Sequence, residues 1–155
     1  MTNTIVIAEL NKGSIHSTTK ELVSAAQMLG SSCTAVVPCT DSSVADSISS
    51  TSGVEKVIVA KSDIFANYDA SGWASAIDSV TPEGIIIASA SPQSKDLAAR
   101  LAARRKVSVV QDVVAIQDGK LTSPVYSGKA MQTVSMSGNA VISVRQNVFD
   151  ASPDG

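Results

Sequence analysis

The stretch "ASASPQSKDLAARLAARRK", residues 88–106, decides the fold. It directly continues the apolar run "GIIIA" (84–88). A short run bounded by turn residues fits a strand covered on both faces, and here a turn and a helix come directly after it. Leu97 and Leu101 stand at i, i+4 among small alanines, giving the helix one packing face. If Ser91 or Ser94 caps it, the N–H groups of its first turn point beyond the carboxyl ends of the sheet, where an anion is favoured. That geometry permits a phosphate without specifying one. Neither G-x-G-x-x-G nor G-x-x-x-x-G-K-[ST] occurs, and residues 88–94 contain no glycine to let a pyrophosphate approach the backbone. Asp96, Arg100 and Arg104 form a polar stripe on the same helix, which suits a solvated face or a partner-binding face equally. Asp96 four residues before Arg100 supports the helix by only about 0.2–0.5 kcal/mol.

Working outward, strands and helices alternate. "TIVIAEL" (4–10) is a buried-strand run. Thr18-x-x-Glu21 has the capping-box pattern, Leu22, Ala25, Ala26 and Leu29 repeat at helical spacing, and Gly30 suits the position after the helix end. "CTAVVP" (33–38) predicts a second strand, "SSVADSISS" (42–50) a helix starting at Ser43-x-x-Asp46, and "VEKVIVA" (54–60) a third strand. Trp73, Ala76, Ile77 and Val80 mark another helical face, and residues 96–105 the helix after "GIIIA". This alternation predicts right-handed crossovers and a mainly parallel sheet between helical layers, an α/β three-layer sandwich.

From Val113 the character changes. Asp118-Gly119 and Ser137-Gly138-Asn139 break three or four β-prone runs that show no helical face, which predicts antiparallel strands added at the sheet edge. Pro124 fits an edge or bulged position there. The closing "FDASPDG" offers nothing to bury and looks like the start of a linker, giving a domain over residues 1–149 and a linker from 150 to 155.

Composition narrows the function classes. With 155 residues the chain has room for one domain with a real core, and 44% hydrophobic against 17% charged residues argues against disorder. A net charge of −2 and no basic, aromatic-rich face set nucleic acid aside as a partner. No apolar run approaches the length of a membrane span, and no tripartite signal peptide opens the chain. Cys33 and Cys39 lack CxxC spacing, and the only histidine, His16, has no visible triad or zinc partners and is expected in a surface loop. There is no carboxylate couple for acid/base work and no G-x-S-x-G elbow. The residues by themselves support a scaffold and no activity.

Five stretches, in order, resemble the amino-terminal domain of the electron-transfer flavoprotein alpha subunit. They are "IVIAE", "GVEKVIVAKSDIF", "SASPQSKDLAARLAARRKVSVVQDVVAI", "PVYSGKA" and "ISVRQNVF", and together they cover nearly the whole chain. The resemblance implies a fold of the adenine-nucleotide alpha-hydrolase-like kind. It also implies an alpha–beta heterodimer that carries electrons from flavin dehydrogenases to an acceptor, without catalytic residues of its own and without membrane insertion. FAD would be held mainly by a carboxyl-terminal domain beginning after Phe149, so that this chain is expected to be an isolated domain or fragment. AMP would reside in the beta partner, the pocket beside residues 91–96 would be degenerate, and no cofactor would bind this chain tightly. Mitochondrial matrix and bacterial cytoplasm suit the family equally.

The residues that match the family pattern are candidates for architecture and interface. Asp112 is expected either to bond backbone groups where the parallel core meets the antiparallel addition or to be a plain surface turn residue. Tyr126 and Gly128 suit a tight hairpin or a turn facing a subunit. Arg145 stands at the exit towards the next domain, where it either forms an ion pair across an interface or is simply solvated. Arg100 is the candidate on the helix stripe. Leu10 and Gln146 depart from the histidine and the proline expected at their positions. A free-standing adenine-nucleotide-binding module of the stress-protein type is the competing reading, and a hydrolase on the same scaffold ranks last.

Overall fold

The computed structural model describes residues 3–11, 14–30, 33–117, 119–125, 130–135 and 139–150. Strands β1 (Thr4–Ile7), β4 (Cys33–Cys39), β5 (Val54–Lys61), β6 (Ile85–Ser89), β7 (Ser108–Val113) and β11 (Ala140–Val144) form one sheet. Its order is β5-β4-β1-β6-β11-β7, and every neighbouring pair is parallel. A small antiparallel pair, β2 (Leu10–Asn11) with β3 (Ser14–Ile15), comes after β1. The helices are α1 (Thr18–Leu29), the one-turn α2 (Asp46–Ser49), α3 (Ala70–Val80) and α4 (Pro92–Arg105).

The apolar runs become central strands because both of their faces are covered. Along β6, Ile85 and Ile87 pack with Leu22 and Ala26 of α1, while Ile86 and Ala88 pack with Ile77 of α3 and with Leu97 and Leu101 of α4. Each such buried Ile or Leu contributes about 1.5–3 kcal/mol of apolar transfer, so the two faces hold the three layers together. Gly84 makes the start of β6 possible. Its φ is +151°, and a Cβ there would fall inside van der Waals contact of the Asn3 carbonyl oxygen, which accepts from Ile85 N at 2.8 Å. Cys33 and Cys39 are buried free thiols in β4, and burial, with Glu55 adding, pushes the Cys33 thiol up to about 11.

The α/β sandwich expected from the sequence is the fold, with antiparallel strands beside its edge. β8 (Ala115–Gln117), β9 (Lys120–Val125) and β10 (Ala130–Ser135) form a separate three-stranded antiparallel sheet in the order β10-β9-β8. It continues from edge strand β7 and joins it through Val114 N to Thr122 O at 2.8 Å. Leu121, fully buried, and the half-buried Ile116 and Val134 carry it onto the α1 face. Pro124 pairs with Met131 of β10 on a part of β9 that β8 does not reach, so its missing N–H costs no bond to β8.

Three local expectations change. The run "AVISV", expected among the antiparallel additions, is β11, inserted in parallel between β6 and β7 and buried along its whole length. Thr18 and Glu21 do not form a capping box, because Ser17 is the N-cap residue and the Glu21 carboxylate is engaged elsewhere. Residues 42–49 form a 3-10 turn and one turn of α2, capped by Asp41, which accepts from Ser43 N at 2.9 Å. His16 lies in the loop between β3 and α1, as expected, and is half-buried there, with Thr18 N donating to its Nδ1 at 3.1 Å. Tyr126, Gly128 and the turn residues Asp118, Ser137 and Gly138 lie outside the described residues, as does the expected linker beyond Asp150.

Candidate functional site

In the sheet, β1 lies between β4 and β6, and the chain leaves it towards β4 and β5 on one side and towards β6, β11 and β7 on the other. The crevice beyond the carboxyl ends of β1 and β6 is therefore the topological switch point, where open α/β sheets bind ligands. A cavity of about 400 Å³ occupies it, walled by Glu9, Thr18, Ser89, Ser91, Asp112 and Arg145 among others. Strand ends supply most of these residues, and Ser91 begins α4.

Glu9 comes after β1 and reaches across to the first turn of α4. Ser91 Oγ donates a short hydrogen bond to Glu9 Oε1, and Ser94 Oγ donates to the same oxygen at 2.9 Å. Ser91 is also the N-cap of α4, accepting from Ser94 N at 3.2 Å. One carboxylate oxygen thus collects two hydroxyl donors at the positive end of a 14-residue helix. The position beyond this helix start, where an anion is favoured, is taken by a side chain of the same protein. Pro92, at the first helical position, further removes one backbone donor from that turn. This seat does not fit the pyrophosphate of a dinucleotide such as FAD.

Asp112 and Arg145, which the sequence singled out separately, meet in the structure. Arg145 Nε and Nη2 donate to the two Asp112 oxygens at 3.1 and 2.5 Å, and Lys95 Nζ lies 3.8 Å away. The Arg145 bond holds the Asp112 carboxyl below the usual carboxylate range against the opposing effect of burial, with Lys95 adding to it. Asp112 has φ +64°, and its N–H donates to Ser143 Oγ at 2.8 Å where the β7–β11 register shifts. Asp is among the few residues that tolerate this left-handed conformation. Ser143 Oγ donates in turn to Gln111 Oε1 at 2.5 Å, and Gln111 Nε2 to Lys95 O at 3.0 Å. Strand ends and helix α4 are tied together by this chain of bonds.

Past Arg145 the backbone is held again. Asn147, with φ +66°, donates its N–H to Glu21 Oε1 at 2.7 Å, and Phe149, 8% exposed, joins the α1-side core. Arg100 lies apart from this cluster. It bonds Asp96 through Nε at 3.3 Å, and Asp96 also accepts from Tyr68 OH at 2.7 Å. That bond, more than Arg100, keeps the Asp96 carboxyl low, while burial and Asp96 push the Tyr68 hydroxyl up. Tyr68 and Phe65 stack edge-on against Trp73, each with ring centres 5.1 Å apart, beside a second cavity of about 350 Å³ that also touches Glu9 and Ser94.

Sequence reasoning missed Glu9, Lys95 and Ser89, and read Glu21 only as a local helix cap. The only visible signal for Glu9 was an acidic residue directly after a buried strand. Its serine partners lie 82 and 85 residues further on. Among the described residues no group of three or more His, Cys, Asp or Glu is placed to hold a metal ion, and no helix is long and apolar enough to cross a membrane.

Comparison with known proteins gives the same frame. The electron transfer flavoprotein domain family matches residues 4–155. The chain is 32% identical to the mitochondrial electron transfer flavoprotein subunit alpha of Arabidopsis thaliana, over 97% of this chain and 45% of that protein. It is 30% identical to the alpha subunit of Mycobacterium tuberculosis, over 99% of this chain and 50% of the relative, and 28% identical to that of Paracoccus denitrificans, over 97% and 50%. It therefore spans about half the length of the curated relatives it matches. With the α/β sandwich and a family match running from β1 to the last residue, the chain belongs to the electron transfer flavoprotein domain family and corresponds to the amino-terminal domain of its alpha subunit.

Proposed function

We propose that this domain is a non-catalytic assembly element of an electron transfer flavoprotein. It docks on a beta subunit and holds a flavin-bearing domain in position, while FAD carries electrons from dehydrogenases to an acceptor. The observation that supports this most directly is the bracing of the chain's exit. Residues 145–149 are fixed by the Arg145–Asp112 pair, the Asn147–Glu21 bond and the buried Phe149, so a domain joined there starts from a defined direction. A freely swinging tail needs none of these contacts. The Glu9 seat agrees with FAD being bound elsewhere, since a phosphate there would meet a carboxylate.

In this reading Asp112 and Arg145 act as a pair that sets the exit, and Arg100, with its side chain 49% exposed, belongs to a docking face on α4. Native mass spectrometry of the chain mixed with an electron transfer flavoprotein beta subunit tests it: a one-to-one complex is expected. A chain that stays alone at concentrations well above micromolar removes the docking part.

The competing reading, a free-standing adenine-nucleotide module, has one observation in its favour, the aromatic-lined cavity beside Trp73. Calorimetry with AMP and ATP separates the two. Micromolar binding to the unaltered chain would favour the module.

A further inference from the structure

We propose that the crevice at the start of α4 is a seat for one oxyanion, filled here by the chain's own Glu9, and that removing Glu9 turns it into a site for phosphate and phosphate monoesters. Three observations meet at this point. Both hydroxyls of the first turn, Ser91 and Ser94, are aimed at the same Glu9 oxygen, the arrangement a helix start offers to an external anion. Ser89, which walls the same cavity, is 4% exposed, and its Oγ has no hydrogen-bond partner among the described residues. An orphaned buried hydroxyl is costly, and an anion oxygen reaching this cavity would give it an acceptor.

The third observation is charge. Glu9, Asp112 and Arg145 wall the same cavity, and Lys95, next to Ser94 on α4, pairs with Asp112 as Arg145 does, so two anions and two cations gather at this end of the sheet. Asp112 is already committed to both cations, so taking away Glu9 leaves the seat with two hydroxyl donors, the helix dipole and a net positive surrounding. The cavity of about 400 Å³ has room for a phosphate. A tethered carboxylate has the advantage of effective concentration over any free anion, which is why the unaltered chain keeps the site closed. This seat is independent of whether the domain docks on a beta subunit.

The test is titration of the unaltered chain and of Glu9→Ala with inorganic phosphate, AMP and adenosine, monitored by calorimetry and by amide chemical shifts. Phosphate is expected to bind Glu9→Ala at least about tenfold more tightly than the unaltered chain, the factor that one charge-assisted contact of about 1.4 kcal/mol gives. Shifts should centre on Ser91, Ser94 and Lys95. AMP should gain with phosphate, and adenosine, which carries no anion, should not. Adding Ser94→Ala to the variant should cancel the gain. Equal phosphate affinity with and without Glu9, or no binding by a folded Glu9→Ala chain, overturns the proposal, and so does a gain whose shifts lie elsewhere. Glu9→Gln keeps the shape and removes the charge. It should show a smaller gain, and it decides the matter if the alanine variant fails to fold.

Discussion

Two carboxylates stand at the same end of the sheet, on the rim of the same cavity, and are satisfied in opposite ways. Glu9 is met by neutral hydroxyls and a helix dipole, Asp112 by two side-chain cations. The first arrangement fills a binding position; the second ties β7, β11 and α4 into a brace. A carboxylate held by hydroxyls within a crevice depends on geometry, whereas one held by a guanidinium and an ammonium depends on charge and on the screening around it. In the readings proposed above, one acidic side chain closes a site and the other fixes a direction.

Breaking the brace should have the larger effect. Asp112→Ala leaves Lys95 and Arg145 without their anion and puts a residue that tolerates the left-handed backbone less well at φ +64°. A loss of about 2–3 kcal/mol is expected in denaturant unfolding, from the strained backbone together with the lost pair. Asp112→Gly separates the two parts. It relieves the strain, and should recover about 1 kcal/mol relative to alanine. If alanine and glycine unfold alike, the left-handed backbone carries no cost and the comparison reduces to charge alone.

Acid should sharpen the same contrast. The folded-state pKa of Asp112 is depressed, so its contribution is full above the ordinary unfolded value of about 4 and is lost as pH falls through the lower folded value. Asp112→Asn should therefore be less stable than the unaltered chain at pH 7 and approach it as the pH drops towards 2. Melting temperatures of the two chains at intervals between pH 7 and 2 measure this. A constant gap across that range would show that Arg145 does not stabilise the ionised form.

How much could be read from the residues depends on the range of the interactions. The runs around Ile5 and Ile86 announced central parallel strands because an apolar run covered on both faces is itself the signal. "AVISV" carries the same signal, but the hairpin turns before it suggested that the antiparallel pattern continued. Its buried Ser143, bonded to Gln111 and Asp112, is the trace of a crossing back into the sheet. Asp112 and Arg145 were legible as individuals and not as a pair, since 33 residues separate them. Glu21 looked like a local cap. Local pattern predicts a bond to its own helix, and tertiary structure gave it Asn147, 126 residues away. Glu9 showed only as an acidic residue after a buried strand, because what makes it notable is where the turn after β6 falls in space.

The Glu9 side of the comparison should give a smaller change. Glu9→Gln keeps the chain's shape but turns two charge-assisted bonds into neutral ones, and about 1 kcal/mol of stability should be lost. Thermal melting detects a loss of that size in a domain this long. A Glu9→Gln chain more stable than the unaltered one would mean that burying the charge costs more than its two hydroxyl bonds return.

Salt gives the finest test, because it acts on one carboxylate and should spare the other. Arg145 is 47% and Lys95 38% exposed at the side chain, so their attraction to Asp112 is open to screening as the Debye length falls from about 10 Å at 0.1 M to about 3 Å at 1 M. The stability difference between the unaltered chain and Asp112→Asn should shrink by a few tenths of a kcal/mol over that range, in keeping with the small worth of exposed pairs. The bonds to Glu9 come from hydroxyls less than 3 Å away, with no mobile ion between donor and acceptor. Its difference from Glu9→Gln should stay constant as salt is raised. Two parallel salt series in urea measure both slopes, and a Glu9 slope as steep as that of Asp112 would show that long-range attraction to Lys95 and Arg145, and not the first turn of α4, is what holds Glu9 in place.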